Sequence, residues 1–387
     1  MIWVTLLAVL LMLAGATQAI AAPAHPPAPE DAALDRALRD LVAMPFGPPG
    51  VIALVQRDRD LSVHAEGVSE LGRRRPPKAT DVMHIASTAK AFNGAVALSL
   101  VDRGVLGLDD SIGLRRPDLP VAWHAVTVRQ LLGHTSGVPD YASSPAAQEA
   151  IGNSLTVAPP PRRLLDFVAD QPLEFPAGSR YEYSNSDNVI VGLIVEAVTH
   201  GSYERALERQ VLRPLGLHRT SLPRGPELPR PYMHGYQIDR DNPTGPLDDV
   251  SEQVAGGWSW AAGGIVSTPR DLNRFIRGYV GGELFGRRVS DEQARFGPGG
   301  SEPPGPGTNS AGLALFRYDT RCGTVFGHTG NTGGYTQFIA ASRDGRRSVT
   351  MSINVQRTQT SEGQEAQVFA ALRAAEETAV CAALAPR

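Results

Sequence analysis

Ser87 and Lys90 stand three residues apart in His84-Ile85-Ala86-Ser87-Thr88-Ala89-Lys90. If Ser87 opens a helix, positions i and i+3 share one face, and the lysine amine reaches the serine hydroxyl. The helix N-terminus also aims backbone N–H groups at whatever the serine attacks. Burial beside other cationic or dipolar groups would lower the lysine pKa from its ordinary value of about 10.4 and make it a base. A single Ser-x-x-Lys arises by chance in many helices. Here, however, Lys78 and Lys90 are the only lysines among 37 strongly basic residues. Arginine carries surface charge as well as lysine does, but it never gives up its proton in a protein. Lys78 ends the charged run Arg73-Arg74-Arg75-Pro76-Pro77-Lys78, where an exposed cation explains it, whereas Lys90 fits the one task arginine cannot do.

Two further clusters hold polar groups that complement such a pair. Tyr183-Ser184-Asn185 lies in a loop ahead of a helix, with a tyrosine oxygen able to relay a proton and an amide able to hold a substrate carbonyl. Phe326-Gly327-His328-Thr329-Gly330-Asn331 precedes an apolar strand. His328 titrates near working pH, Thr329 offers a hydroxyl, and Gly330 permits close approach of a substrate backbone. Taken singly, a packed tyrosine and a structural histidine are the commoner roles. Gly133-His134-Thr135-Ser136-Gly137 places another serine near a histidine, but it lacks the Gly-x-Ser-x-Gly elbow of α/β hydrolases and reads as a decoy.

The elements around these clusters divide into two kinds. Near the N-terminus, Glu30 to Met44 has Leu34, Leu38 and Leu41 on one helical face. Gly50 to Val55 is a buried strand, and Leu61 to Ala65 is its hairpin partner. Near the C-terminus, Gly334 to Ala340 and Ser348 to Ile353 are strands joined by an Asp344-Gly345 turn, and Glu362 to Leu384 is a helix. The middle is helical: Ser87 to Leu100, a capping box at Thr127-Val128-Arg129-Gln130, Asp187 to His200 stopped by Gly201, and Ser202 to Leu212 ended by Pro214. Thr268-Pro269 opens another helix, and Phe296 to Gly312 reads as loop. The expected fold is α/β: an antiparallel sheet flanked by N- and C-terminal helices, from residues 31–82 and 255–387, with a mainly helical domain, residues 83–254, inserted between them.

Composition narrows the function. The net charge is -3, which gives no footprint for nucleic acid, and no Cys/His cluster has metal-ligand spacing. The first charged side chain is Glu30, and the apolar run before it ends at Ala19-Ile20-Ala21. Residues 1–21 read as a signal peptide and 22–30 as a Pro/Ala linker, so a secreted or periplasmic, cell-wall location is expected. A membrane role would require that the segment stay uncleaved as an anchor. Export would place Cys322 and Cys381 in an oxidising compartment, where they either form one disulfide or remain two buried thiols.

Taken in order, Ser87/Lys90, Tyr183/Asn185 and His328/Thr329/Gly330 resemble the Ser-x-x-Lys, Tyr-x-Asn and Lys/His-Thr-Gly motifs of the serine β-lactamase and penicillin-binding protein superfamily. The chain looks most like the class C β-lactamase-like branch, and within it the secreted serine D-alanyl-D-alanine carboxypeptidases of streptomycetes. The resemblance spans roughly Leu34 to Cys381 and includes His134-Thr135-Ser136-Gly137, Pro176-Ala177-Gly178 and Cys322-Gly323. It implies acyl transfer without a cofactor. Ser87 attacks a carbonyl, Lys90 takes its proton, Tyr183 relays a proton to the leaving nitrogen, and His328 shapes the field around Tyr183. The N–H groups of Ser87 and Asn331 form the oxyanion hole, while Asn185, Thr329, Gly330 and Trp258, or failing it Trp260, contact substrate. The implied activity is that of a D-alanyl-D-alanine carboxypeptidase on small peptides or peptidoglycan stems, acylated by β-lactams; an esterase or a β-lactamase is the alternative, D-amino-acid amidases use the same residues too, and a non-catalytic wall-binding protein is the alternative of another class. One departure stands out. Where the carboxypeptidases hold the substrate carboxylate with an arginine, Phe316 falls here, with Arg317 beside it.

Overall fold

The computed structural model describes residues 28–238, 245–358 and 363–386. The expected signal segment, 1–21, and most of the 22–30 linker lie outside them. Helix α1 (Pro29–Ala43) starts on proline, with Glu30 and Asp31 in its first turn, where the helix dipole favours carboxylates. Its buried face is Leu34, Leu38 and Leu41. The chain then forms the hairpin β1 (Gly50–Arg57) and β2 (Asp60–Gly67), turning at Asp58, whose φ of 56° a short polar side chain tolerates. It leaves the sheet and returns as β3 (Thr308–Ala311), β4 (Phe316–Thr320), β5 (Gly323–Thr332), β6 (Tyr335–Ala341) and β7 (Arg347–Ile353). The strands lie in the order β2-β1-β7-β6-β5-β4-β3, every neighbour antiparallel.

Both faces of this sheet are covered, so β1 is an unbroken apolar run rather than an alternating one. Val51, Ala53 and Val55 pack on one face with α1 and the C-terminal helix α5 (Gly363–Leu384). Ile52 and Leu54 meet Met233 on the other. Helix α2 (Ala89–Asp102), buried from Ala89 to Val101, and α3 (Asn185–Thr199) lie beyond that second face, which packs directly on α4 (Pro269–Gly281). Phe92 of α2 stacks on Phe275 of α4 with ring centroids 3.6 Å apart. Thr127 caps the short Val128–Leu132 helix with both halves of the expected box in place.

Four elements differ from the sequence reading. The Ser87 helix begins with a 3-10 turn, Ala86–Thr88, before α2 proper. Helix α3 starts at Asn185, and His200 (φ 49°) rather than Gly201 takes the left-handed closing position. Pro214 does not end its helix. A wide i→i+5 turn at Glu208–Leu212 precedes it, where a missing N–H disturbs least, and the helix stops at Gly216 (φ 61°). The last residues of the expected 296–312 loop form the edge strand β3. Its half-exposed Thr-Asn-Ser-Ala has no apolar alternation to betray it.

Cys322 and Cys381 are joined in a disulfide, with Cα atoms 5.1 Å apart, which ties the β4–β5 turn to α5. The bond closes a sequence separation of 59 residues, so chain entropy predicts about 4 kcal/mol of stabilisation. Reduction is expected to lower the urea unfolding midpoint accordingly. An unchanged midpoint with and without reductant would remove the bond from the stability of the fold.

Candidate active site

Ser87 sits in the 3-10 turn directly after Ala86, which is held at φ 49°, a conformation that alanine pays for in strain. One turn on, Lys90 is 1 % exposed. Its Nζ lies 3.1 Å from Ser87 Oγ, 2.7 Å from Asn185 Oδ1 and 2.8 Å from the Ala262 carbonyl oxygen. A neutral amine has two hydrogens and one lone pair. With the hydrogens given to Asn185 and Ala262, the lone pair is left for the Ser87 hydroxyl. Burial brings the Lys90 pKa down to about 7, against the opposing pull of Asp140 and Glu302. A large share of the molecules therefore hold Lys90 as a base at neutral pH.

Asn185 is fixed by a residue the sequence reading did not single out. Asp140 accepts from the Asn185 backbone N–H at 3.1 Å and from its Nδ2 at 2.9 Å, which turns Oδ1 toward Lys90. The Asn185 amide thus holds the lysine, and one Nδ2 hydrogen remains to meet a substrate. Asp140 caps the 3-10 turn at Tyr141–Ser143. That local role was readable from sequence, but its approach to residue 185 is tertiary.

Tyr183 Oη is buried with no well-formed hydrogen bond among the described residues, although the Ser87 hydroxyl is near enough to pull against the effect of burial, and its ring centroid is 4.9 Å from Lys90 Nζ. Burial holds its hydroxyl well above the ordinary tyrosine range, so it is a protonated donor. Ser87, Tyr183, Asn185, Asn331 and Trp258 all line one cleft of about 640 Å³. Trp258 is anchored by its indole N–H on the Ser154 carbonyl. Trp260, the other candidate, packs on Tyr203 instead and does not line the cleft.

The His-Thr-Gly cluster stands behind the cleft. His328 is fully buried and its pKa falls to about 3 through burial, so it is neutral. Nδ1–H donates to the Thr329 carbonyl at 2.5 Å, and Nε2 is left as an acceptor with no partner among the described residues. Any influence on Tyr183 is that of a dipole, not a cation. Thr329 Oγ1 is spent on the Pro303 carbonyl at 2.6 Å. Gly330 approaches not open substrate space but the Ser87 turn: a Cβ there would meet the Ile85 carbonyl, with Thr88 N at 3.0 Å. Asn331 has its Oδ1 taken by Thr336 Oγ1 and the Arg357 N–H. Pairing of β4 with β5 ends at Phe316↔Gly327, so β5 from His328 to Thr332 pairs with β6 alone and forms a local edge beside the cleft. Phe316 packs its ring against His328, and Arg317 is paired with Asp319. Neither lines the cleft.

Comparison with known proteins agrees with this geometry. The fold is similar to a D-stereospecific amidohydrolase from Streptomyces sp. (TM-score 0.74, 28 % identity, 87 % of this chain and 97 % of that one). It is also similar to a D-amino acid amidase from Ochrobactrum anthropi SV3 (TM-score 0.76, 24 % identity, 90 % and 98 % covered), a likeness of fold. Over 201 residues the sequence is 27 % identical to penicillin-binding protein 4* of Bacillus subtilis, covering 49 % of this chain and 42 % of that protein. This chain therefore matches less than half the length of that relative. The Beta-lactamase family model matches residues 34–373, from the buried face of α1 into α5. A serine, a buried lysine and a tyrosine converge inside that span, and the chain belongs to the Beta-lactamase family of serine hydrolases.

Proposed function

We propose that the protein hydrolyses short amides and peptides built from D-amino acids, through an acyl-enzyme on Ser87. The observation that carries this is the Lys90 amine, 3.1 Å from Ser87 Oγ and held by two acceptors so that its lone pair faces the hydroxyl. Ser87 Oγ attacks the carbonyl carbon as its proton passes to Lys90 Nζ, and the Ser87 and Asn331 N–H groups receive the oxyanion, a contribution often worth about 3 kcal/mol. Tyr183 delivers its proton to the leaving nitrogen and takes back the one that Lys90 received from Ser87, so both return to their neutral forms. Water then attacks the ester and releases the acid.

The similarity to the Streptomyces amidohydrolase favours D-configured amides as donors. Two carboxylates, Asp140 and Glu302, line the cleft, while Phe316 and Arg317 are turned elsewhere. That environment suits an amide with no terminal carboxylate better than a carboxypeptidase substrate. The open edge of β5 favours a second reading, D-alanyl-D-alanine carboxypeptidase acting on peptidoglycan stems, because an extended peptide can add to it as a strand. The Cys322–Cys381 bond supports action outside the cytoplasm after removal of residues 1–21.

Intact-mass measurement tests the reading. Incubation with a penicillin is expected to add one β-lactam mass, mapping to the peptide that holds Ser87. Release of ammonia from D-alaninamide in preference to D-alanine from a D-Ala-D-Ala peptide would support the amidase form; the reverse would support the carboxypeptidase. Neither adduct nor turnover would defeat acyl transfer and favour the wall-binding alternative.

A further inference from the structure

His134, part of the apparent decoy at 133–137, is not remote from the chemistry. Its ring centroid lies 4.5 Å from that of Tyr183, and it meets Tyr181 edge-on at 6.1 Å. The backbone around it is fastened to the same segment: Glu182 N–H donates to the His134 carbonyl at 2.9 Å, and Gly178 N–H to the Thr135 carbonyl at 2.7 Å. The ring's own hydrogen bonds determine its state. Ser184 N–H points at Nδ1 from 3.3 Å, so Nδ1 offers a lone pair. Asp187 Oδ2 lies 2.9 Å from the same nitrogen. A carboxylate there would face a lone pair, whereas a protonated Oδ2–H donates to it. Oδ1 then accepts from Ser136 Oγ at 2.5 Å, and Ser136 in turn accepts from Val138 N–H at 2.9 Å. With His134 and Asp187 both uncharged, the Nδ1 lone pair faces two donors, Oδ2–H and, at longer range, the Ser184 N–H, and both Asp187 oxygens and the Ser136 hydroxyl have a partner of the right kind. Burial acts in the same sense on both, lowering the His134 pKa to about 3 and raising that of Asp187 well above the carboxylate range, with Lys90 and Asp140 the charged groups nearby.

We propose that His134 and Asp187 form a neutral hydrogen-bonded pair that positions Tyr183 for proton transfer. The proposal rests on the acyl-enzyme reading, in which Tyr183 acts, and goes beyond it by giving the His-Thr-Ser-Gly turn a task. Neutrality matters because Lys90 already stands over the Tyr183 ring. An imidazolium against the same ring would oppose a proton arriving at Lys90. Both residues are positioning groups: they act on Tyr183 and do not touch the reacting atoms.

The test reads, by intact mass, the rate at which a penicillin probe, whose ring nitrogen is the leaving group that Tyr183 protonates, labels Ser87 in the full chain, with melting temperature measured alongside. His134→Ala is expected to slow labelling by about 100-fold, as loss of sub-ångström placement does. In a Tyr183→Phe background the same change should cost less than about threefold, because additivity fails for residues that act through one another. Asp187→Asn, whose amide can donate to Nδ1 and accept from Ser136, is expected to restore most of what Asp187→Ala loses. Equal losses for Asp187→Asn and Asp187→Ala would overturn the neutral pair. Full cost of His134→Ala in the Tyr183→Phe background would overturn action through Tyr183. If His134→Ala does not fold, the Asp187 pair of variants decides alone. A parent chain that the probe does not label would overturn the acyl-enzyme reading and this one with it.

Discussion

Replacing Lys90 by arginine is expected to slow acylation of Ser87 by about 10²- to 10⁴-fold, the range that a positioned general base supplies. The charge would be kept and the proton acceptor lost. Arginine holds its proton in any protein environment, so it offers Ser87 no lone pair at any pH at which the protein folds. Lys90→Met should lose a similar factor although it removes the charge altogether. Equal losses from a charged and an uncharged replacement would identify the lone pair, not the charge, as the contribution. Near-parental labelling of Lys90→Arg, measured by intact mass on a folded variant, would remove Lys90 as the base.

The same lysine sets the pH dependence. Burial holds its pKa at about 7 against 10.5 for a free side chain. Below that value the amine is protonated and cannot accept from Ser87, so acylation should rise through about pH 7 and level off above it. His328 and His134 do not add a limb near neutrality, because both are held neutral by burial. Stability follows the same titration. Between about pH 7 and 10.5 the unfolded chain keeps a proton on Lys90 that the folded chain has lost, so stability gains with rising pH across that window. Below about pH 7 the folded protein carries the full cost of a buried ammonium. Lys90→Met should flatten this part of the profile.

Ser87 and Lys90 were legible because two local facts coincide, a spacing of three and a near absence of lysine elsewhere. The strands at both ends were legible because a sheet covered on both faces leaves continuous apolar runs such as Val51 to Val55. What stayed hidden depends on segments far apart in the chain. Asp140 drew no notice in the sequence, and only the fold brings it to Asn185. His134 reads as a decoy until Tyr183 lies against its ring. Thr329 reads as a substrate group until Pro303 claims its hydroxyl. In each case the residue type was noticed or noticeable, but its partner is set by tertiary packing that no periodicity encodes.

Gly330 is the sharpest such case, and it carries the second large prediction. A glycine in His-Thr-Gly suggests room for a substrate, yet the space above its Cα is already filled by the Ser87 turn. A Cβ at position 330 would fall on the Ile85 carbonyl oxygen, with Thr88 Oγ1 at 2.9 Å and Thr88 N at 3.0 Å. Two of those atoms belong to the backbone and cannot rotate aside. Gly330→Ala must therefore push β5 away from the 3-10 turn, parting the Asn331 wall of the cleft from Ser87. Overpacking of this kind costs about 1–3 kcal/mol of stability. A shift approaching 1 Å between nucleophile and oxyanion donor would cost about 100-fold in acylation. Gly333, three residues on in the same hairpin, provides the control: its nearest obstacle is the flexible Gln237 Oε1 at 3.8 Å, so Gly333→Ala should label at the parental rate. Parental labelling of Gly330→Ala as well would mean that β5 and the Ser87 turn are not held in register by this contact, and that the oxyanion donors are placed by something other than the fit of glycine against Ile85 and Thr88.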